Sequence, residues 1–222
     1  MKKTVVLLMV VALVFGGGIA QAQEPQTEGN SSFALGVSSL DLDDLNKYLT
    51  DAGMPTFGSG ILTMKFSSEM DLGINDWYFG NSTVVAYGEK KAKDDNAAFL
   101  SFGFVGIDGI KKYQLSQKTD VSIGSGAGLG ILSLYLKHSD PVDFENLVGT
   151  AHDSNLVKYY FMLKPEAELT YKVNKYSSLN LSLDYHYGIS GDKWSHYYSN
   201  KVAGPLSTLT GSSVTAGFNI NY

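Results

Sequence analysis

Ser182, Asp184 and His186 stand at alternate positions in "LNLSLDYHYGI" and carry the side-chain types of a hydrolase relay. Their spacing argues against that use. In an extended strand alternate residues point the same way with Cα atoms roughly 6.5–7 Å apart, so the three groups stand parallel and hand no proton along direct hydrogen bonds. A polar ladder on one strand face is the expected role. A second set, His138, Asp140, Asp143, Glu145, His152 and Asp153, falls in one loop, with His196 in the next. The spacing fits no zinc pattern, and weak divalent-cation bridging to phosphates is the metal chemistry it suggests. Lys90, Lys91 and Lys93 of "EKKAKDD" suit direct phosphate contact or a charged hairpin tip. "GSGAGLG" lies within a strand and opens no helix, so it does not cradle a phosphate. The chain is expected to be no enzyme and to need no metal or other cofactor.

The elements that carry these residues repeat with period two. From 157 to 173, Val157, Tyr159, Phe161, Leu163, Pro165, Ala167, Leu169, Tyr171 and Val173 share a face opposite Lys158, Lys164, Glu166, Glu168 and Lys172. From 179 to 189, Leu179, Leu181, Leu183, Tyr185, Tyr187 and Ile189 oppose Asn180, Ser182, Asp184 and His186. Weaker alternation near 32–39, 60–72, 77–88, 97–110, 120–137 and 208–222 completes eight strands. The third, "WYFGNSTVVAY", alternates poorly, as a bulge would make it do. Short turns at "GIND", "QLSQK" and "VNKYS" alternate with long loops near 41–58, 89–96, 138–156 and 190–207. In the first long loop Leu42, Leu45, Leu49 and Ala52 are at helical spacing, with Asp41 as N-cap and Gly53 and Pro55 as stops. This short amphipathic helix is expected to pack as a lid on a barrel rim.

Residues 1–22 read as a secretory signal, with Lys2 and Lys3, an apolar run from Val5 to Phe15, and a small-residue site at Ala20-Gln21-Ala22. Residues 23–31 read as a flexible leader and 32–222 as one barrel domain. There is no cysteine, so export is not accompanied by disulfides. All 17 basic residues are lysines against 22 acidic residues, and loss of Lys2 and Lys3 takes the net charge from −5 to −7. An acidic chain without arginine makes a poor nucleic-acid binder.

Alternation alone fits a soluble barrel, apolar side inward, as well as a membrane barrel. Four features favour the second. On 121–131, Ser122, Gly124, Gly126, Gly128 and Gly130 face one way, which in a narrow lumen leaves room for long side chains from neighbouring strands. Lys65, Glu69, Asp71, Lys158, Lys164, Glu166, Glu168, Lys172, Asp184 and His186 are expected to fill that room as a charge-compensated luminal network. Trp77, Tyr78, Tyr159, Tyr160, Tyr171, Tyr185, Tyr187 and Tyr222 lie towards strand ends, as interfacial girdles do. The loop asymmetry fits short periplasmic turns and longer external loops. Finally, "SVTAGFNINY" runs to the last residue as a strand that a closed barrel pairs with its first.

With its signal segment, eight amphipathic strands, alternating connections and final "VTAGFNINY", the sequence resembles small outer-membrane β-barrels of the OmpA-barrel or OmpX type. The resemblance implies an all-β fold, an eight-stranded antiparallel transmembrane up-and-down β-barrel, in a bacterial outer membrane. It also implies that Val214, Ala216, Phe218, Ile220 and Tyr222 form the signal read by the barrel-assembly machinery. Outer-membrane lipid and lipopolysaccharide are the expected surroundings, and the protein is expected to be a monomer. The expected role is structural or in surface interaction through the external loops; the alternative is a narrow pore or carrier for small solutes.

Overall fold

The computed structural model describes residues 29–91, 96–137, 153–196 and 199–222. The signal segment, most of the leader, Lys93 and the loop from His138 to His152 lie outside the described residues. Ten strands and one helix follow in order: β1 Gly29–Leu40, α1 Asp43–Asp51, β2 Ile61–Ile74, β3 Trp77–Lys91, β4 Ala97–Gln114, β5 Thr119–Lys137, β6 Asp153–Asn174, β7 Ser177–Ile189, β8 Lys193–His196, β9 Ser199–Ala203 and β10 Thr208–Asn221. β1 to β7 and β10 pair antiparallel with their neighbours, β5 pairs with β6, and β1 pairs with β10 from Asn30↔Asn221 to Leu40↔Gly211. The eight wall strands therefore close into a barrel in which each is paired on both sides.

The architecture departs from the sequence expectations at β1, at β8–β9 and at the end of β2. β1 begins at Gly29, three residues before the expected start, and its first residues pair with both β2 and β10. The short hairpin β8–β9, absent from those expectations, hangs on β6 through Leu156↔His196 and Val157↔Ser195. The irregularity expected in the third strand belongs to the end of β2. The register shifts between Asp71 and Ile74, where Gly73 has φ +67°, whereas β3 pairs with β4 continuously.

Apolar side chains point outward. Leu163, Leu169, Leu179, Leu181, Leu183, Val214, Phe218 and Ile220 are all exposed, whereas Lys65, Lys158, Lys164, Asp184 and His186 are buried at 3% or less of their area. A soluble barrel would reverse both sets, because an exposed leucine belt and a charged interior are stable only with hydrocarbon outside. Trp77, Tyr113, Tyr171, Tyr176 and Tyr222 are exposed at the short-turn end, and Tyr159, Tyr185 and Tyr187 towards the long-loop end. Tyr160 is no girdle residue: it points inward at 1% exposure and its hydroxyl donates to the Leu206 carbonyl at 2.9 Å.

The helix on the first long loop forms one residue later than the sequence suggests. Leu42 is the N-cap position and makes no side-chain cap; Asp41 accepts only a long hydrogen bond of 3.4 Å from the Asp43 amide. The C-terminus closes as a Schellman turn, with Gly53 N–H to Thr50 O at 3.0 Å and Met54 N–H to Leu49 O at 2.8 Å, around a Gly53 φ of +68°. Gly53→Ala is expected to cost about 1–2 kcal/mol, because an L-residue is strained in the left-handed region. Faster protease cleavage of this loop in folded barrels would register it; an unchanged rate would show that packing alone holds the turn.

Candidate functional site

The lumen is layered along its axis. The middle layer is ionic. Asp108 on β4, Gly126 on β5 and Lys164 on β6 lie on one line of paired residues. A Cβ on Gly126 would strike Asp108 Oδ1 and lie 3.3 Å from Lys164 Cε, so the missing side chain on the middle strand lets its neighbours meet above it. Lys164 Nζ is 3.3 Å from Asp108 Oδ1 and 3.6 Å from Asp184 Oδ1, and it also pairs with Glu166. From the far wall Lys65 Nζ reaches Asp184 at 2.8 Å and Glu166 at 3.0 Å. Ser213 Oγ donates to Asp184 Oδ2 and contacts His186 Nε2, each at 3.2 Å. The Phe102 ring meets the imidazole edge-on at 5.4 Å. Two ammonium groups among three buried carboxylates form a cross-lumen lattice that desolvation alone would forbid.

Of the ten residues expected in one network, this layer gathers Lys65, Lys164, Glu166, Asp184 and His186. Glu168 adjoins it, accepting from Ser182 at 2.8 Å and Thr170 at 3.0 Å. Glu69 and Lys172 lie nearer the short turns, where Glu69 pairs with Lys112 at 2.8 Å and Lys172 with Asp120 at 2.7 Å. Two expectations are corrected. Asp71 sits near the end of β2, opposite Tyr78, and accepts the Gly73 amide at 2.7 Å, so it stabilises the approach to the turn and not the network. Lys158 is at the opposite rim, where its Nζ donates to the Pro205 carbonyl at 3.0 Å and lies 5.5 Å from the Trp194 ring centre. Asp108, Lys112 and Asp120 were missed; Asp108, a lone charge on the inward face of "FVGIDGI", carried the available signal.

Above the ionic layer the lumen turns apolar, which the sequence reading did not foresee. Val84, Ala86, Ala98, Leu100, Phe102, Phe104, Leu132, Leu134 and Met162 line it, all buried. Leu42, Leu45, Leu49, Met54 and Phe57 from α1 and its loop enter from one side, and Trp194 and Leu206 from the last loop. Asn46 pins the α1 loop to itself, donating to the Phe57 carbonyl at 3.0 Å and accepting its amide at 2.9 Å. The helix is thus the expected lid, with its leucines inside the barrel mouth. Such an interior explains why "TVVAY", "AAFLSFGF" and "GILSLYL" lose alternation: those halves are apolar toward lipid and lumen alike.

The relay suggested by Ser182, Asp184 and His186 is not assembled. The Ser182 hydroxyl serves Glu168, and the hydroxyl beside His186 belongs to Ser213, which faces Asp184. Among the described residues no group of three histidine or carboxylate side chains is placed to hold a metal ion.

Neither a protein-family model nor a curated protein sequence matches the chain. Solved structures do. Ail, the attachment invasion locus protein of Yersinia pestis, solved with the heparin analogue sucrose octasulfate, superposes with a TM-score of 0.55 at 11% identity, over 89% of this chain and 99% of that one. Neisserial surface protein A superposes with a TM-score of 0.52 at 14% identity, over 88% and 97%. The chain has the fold of the small bacterial outer-membrane β-barrels. Its outward apolar belt and strand-end aromatics place this barrel in the outer membrane, long loops at one face and short turns at the other.

Proposed function

We propose that this outer-membrane barrel is closed to solutes and acts through its external face, in surface interaction or in support of the envelope. The observation that carries the reading is the double obstruction of the lumen: a lattice of buried ion pairs across the middle, and an apolar plug of α1 and last-loop side chains above it. An ion crossing it would have to break paired charges and then enter hydrocarbon-like packing. Refolded barrels, with insertion verified by the mobility difference between boiled and unboiled samples, are expected to give no single-channel steps in planar bilayers. Steady steps would overturn the reading in favour of a narrow pore lined by Lys65, Lys164, Glu166 and Asp184.

The rim bears on the kind of partner. Asp41, Asp43, Asp44 and Asp51 outnumber Lys47 in and around α1, and this acidic edge suits a neutral or cationic partner. The sulfated ligand seen with Ail would be repelled there. Lipopolysaccharide is the proposed lipid neighbour of the rim. Val214, Phe218, Ile220 and Tyr222 on the outer wall, with Ala216 between them, are the proposed contact of the assembly machinery, where their side chains are open to a partner.

A further inference from the structure

The third layer of the lumen opens at the short-turn end, toward the periplasm, as a cup of about 400 Å³. Its walls come from the ends of seven barrel strands and the β6–β7 turn, and its inner end is shut. There Asn180 donates to Asn219 at 2.5 Å, and Asn30 at 3.2 Å and Lys112 at 2.8 Å converge on Glu69. It is a dead end and not a passage. Asn30, Asn174, Asn219 and Asn221 line it beside Tyr78 and Tyr176. The charges on this wall favour anions, although the protein as a whole is acidic. Lys112 is neutralised by Glu69 and Lys172 by Asp120, whereas among the described residues no carboxylate pairs with Lys175, which lies 4.6 Å over the Tyr176 ring.

We propose that this cup binds a small hydroxyl-rich carboxylate of the acidic-sugar class, presented from the periplasm. Each part of the wall has a counterpart in that chemistry. A carboxamide both donates and accepts, as neighbouring sugar hydroxyls require; phenol rings cover the C–H faces of a sugar; Lys175 supplies the positive charge for the carboxylate. The volume is that of a small-molecule site and admits about one or two sugar rings. This binding is independent of the external loops, and it holds whether or not the partner proposed for them is correct.

The test is titration of refolded chain lacking residues 1–22 with glucuronate, read by amide chemical shifts in detergent micelles, with glucose as the uncharged comparison. Glucuronate is expected to give saturable shifts at Asn174, Lys175, Asn219 and Asn221, and glucose much weaker ones. Lys175→Gln, a change in an exposed turn, is expected to weaken glucuronate binding about threefold, the range of a solvent-exposed ion pair. Absent or non-saturating shifts would overturn the proposal, as would equal responses to glucose and glucuronate or unchanged binding in the lysine variant. Unaltered mobility of the unboiled variant separates lost binding from lost folding.

Discussion

Lys164→Met is expected to destabilise the barrel by about 3–5 kcal/mol, the cost of removing one partner from a buried ionic cluster. The ammonium lies within ion-pair distance of Asp108, Glu166 and Asp184, and its side chain is fully buried. Methionine fills much the same volume but, among the described residues, leaves Asp108 without a cation and Lys65 alone to serve both Glu166 and Asp184. Urea unfolding in lipid vesicles, followed by gel mobility, would show the midpoint falling. The paired change Lys164→Met with Asp108→Leu should recover part of the loss, because it removes the orphaned charge as well. A single variant as stable as the parent would mean that the lattice contributes nothing to folding.

Gly126→Val is expected to be of similar size, about 3 kcal/mol or more, by a different route. The new side chain would occupy the space in which Asp108 and Lys164 meet, so overpacking adds to a separated ion pair. Neither neighbour can yield cheaply, since both are held by the cluster. Gly109→Ala is the matched control: a Cβ there meets nothing within 4 Å, and no change in stability is expected. Should the valine and alanine variants unfold alike in vesicles, the glycine at 126 would not be required for the charge lattice.

Much of this fold was legible because a membrane barrel writes two solvents into each strand. Where lipid lay on one side and polar lumen on the other, as along 157–173 and 179–189, alternation identified strand, face and direction together. It weakened where those solvents ceased to differ. The halves of β3, β4 and β5 near the long loops are apolar on both sides, and periodicity carries no sign that the lumen has changed character. Height along the axis was the second thing hidden. Asp71 and Lys158 share the inward face with Lys65 and Lys164, but one lies near a turn and the other at the opposite rim, and face membership does not separate them. The β8–β9 hairpin, with strands of only four and five residues, is too brief to leave a pattern.

The β1–β10 seam also dictates a timetable. Asn30 and Asn221 are partners, and so are Phe33 and Phe218, so the barrel cannot shut until almost the whole chain has been delivered. Every other wall contact joins strands that are near in sequence, apart from β7 with β10. Early-arriving strands can form hairpins, yet β1 must wait with an open edge and an apolar face while the rest is exported. Such long-range closure is slow, and waiting edges aggregate. The protein therefore has a vulnerable interval between export and insertion, and a holding chaperone would act most usefully on the first strand during that time.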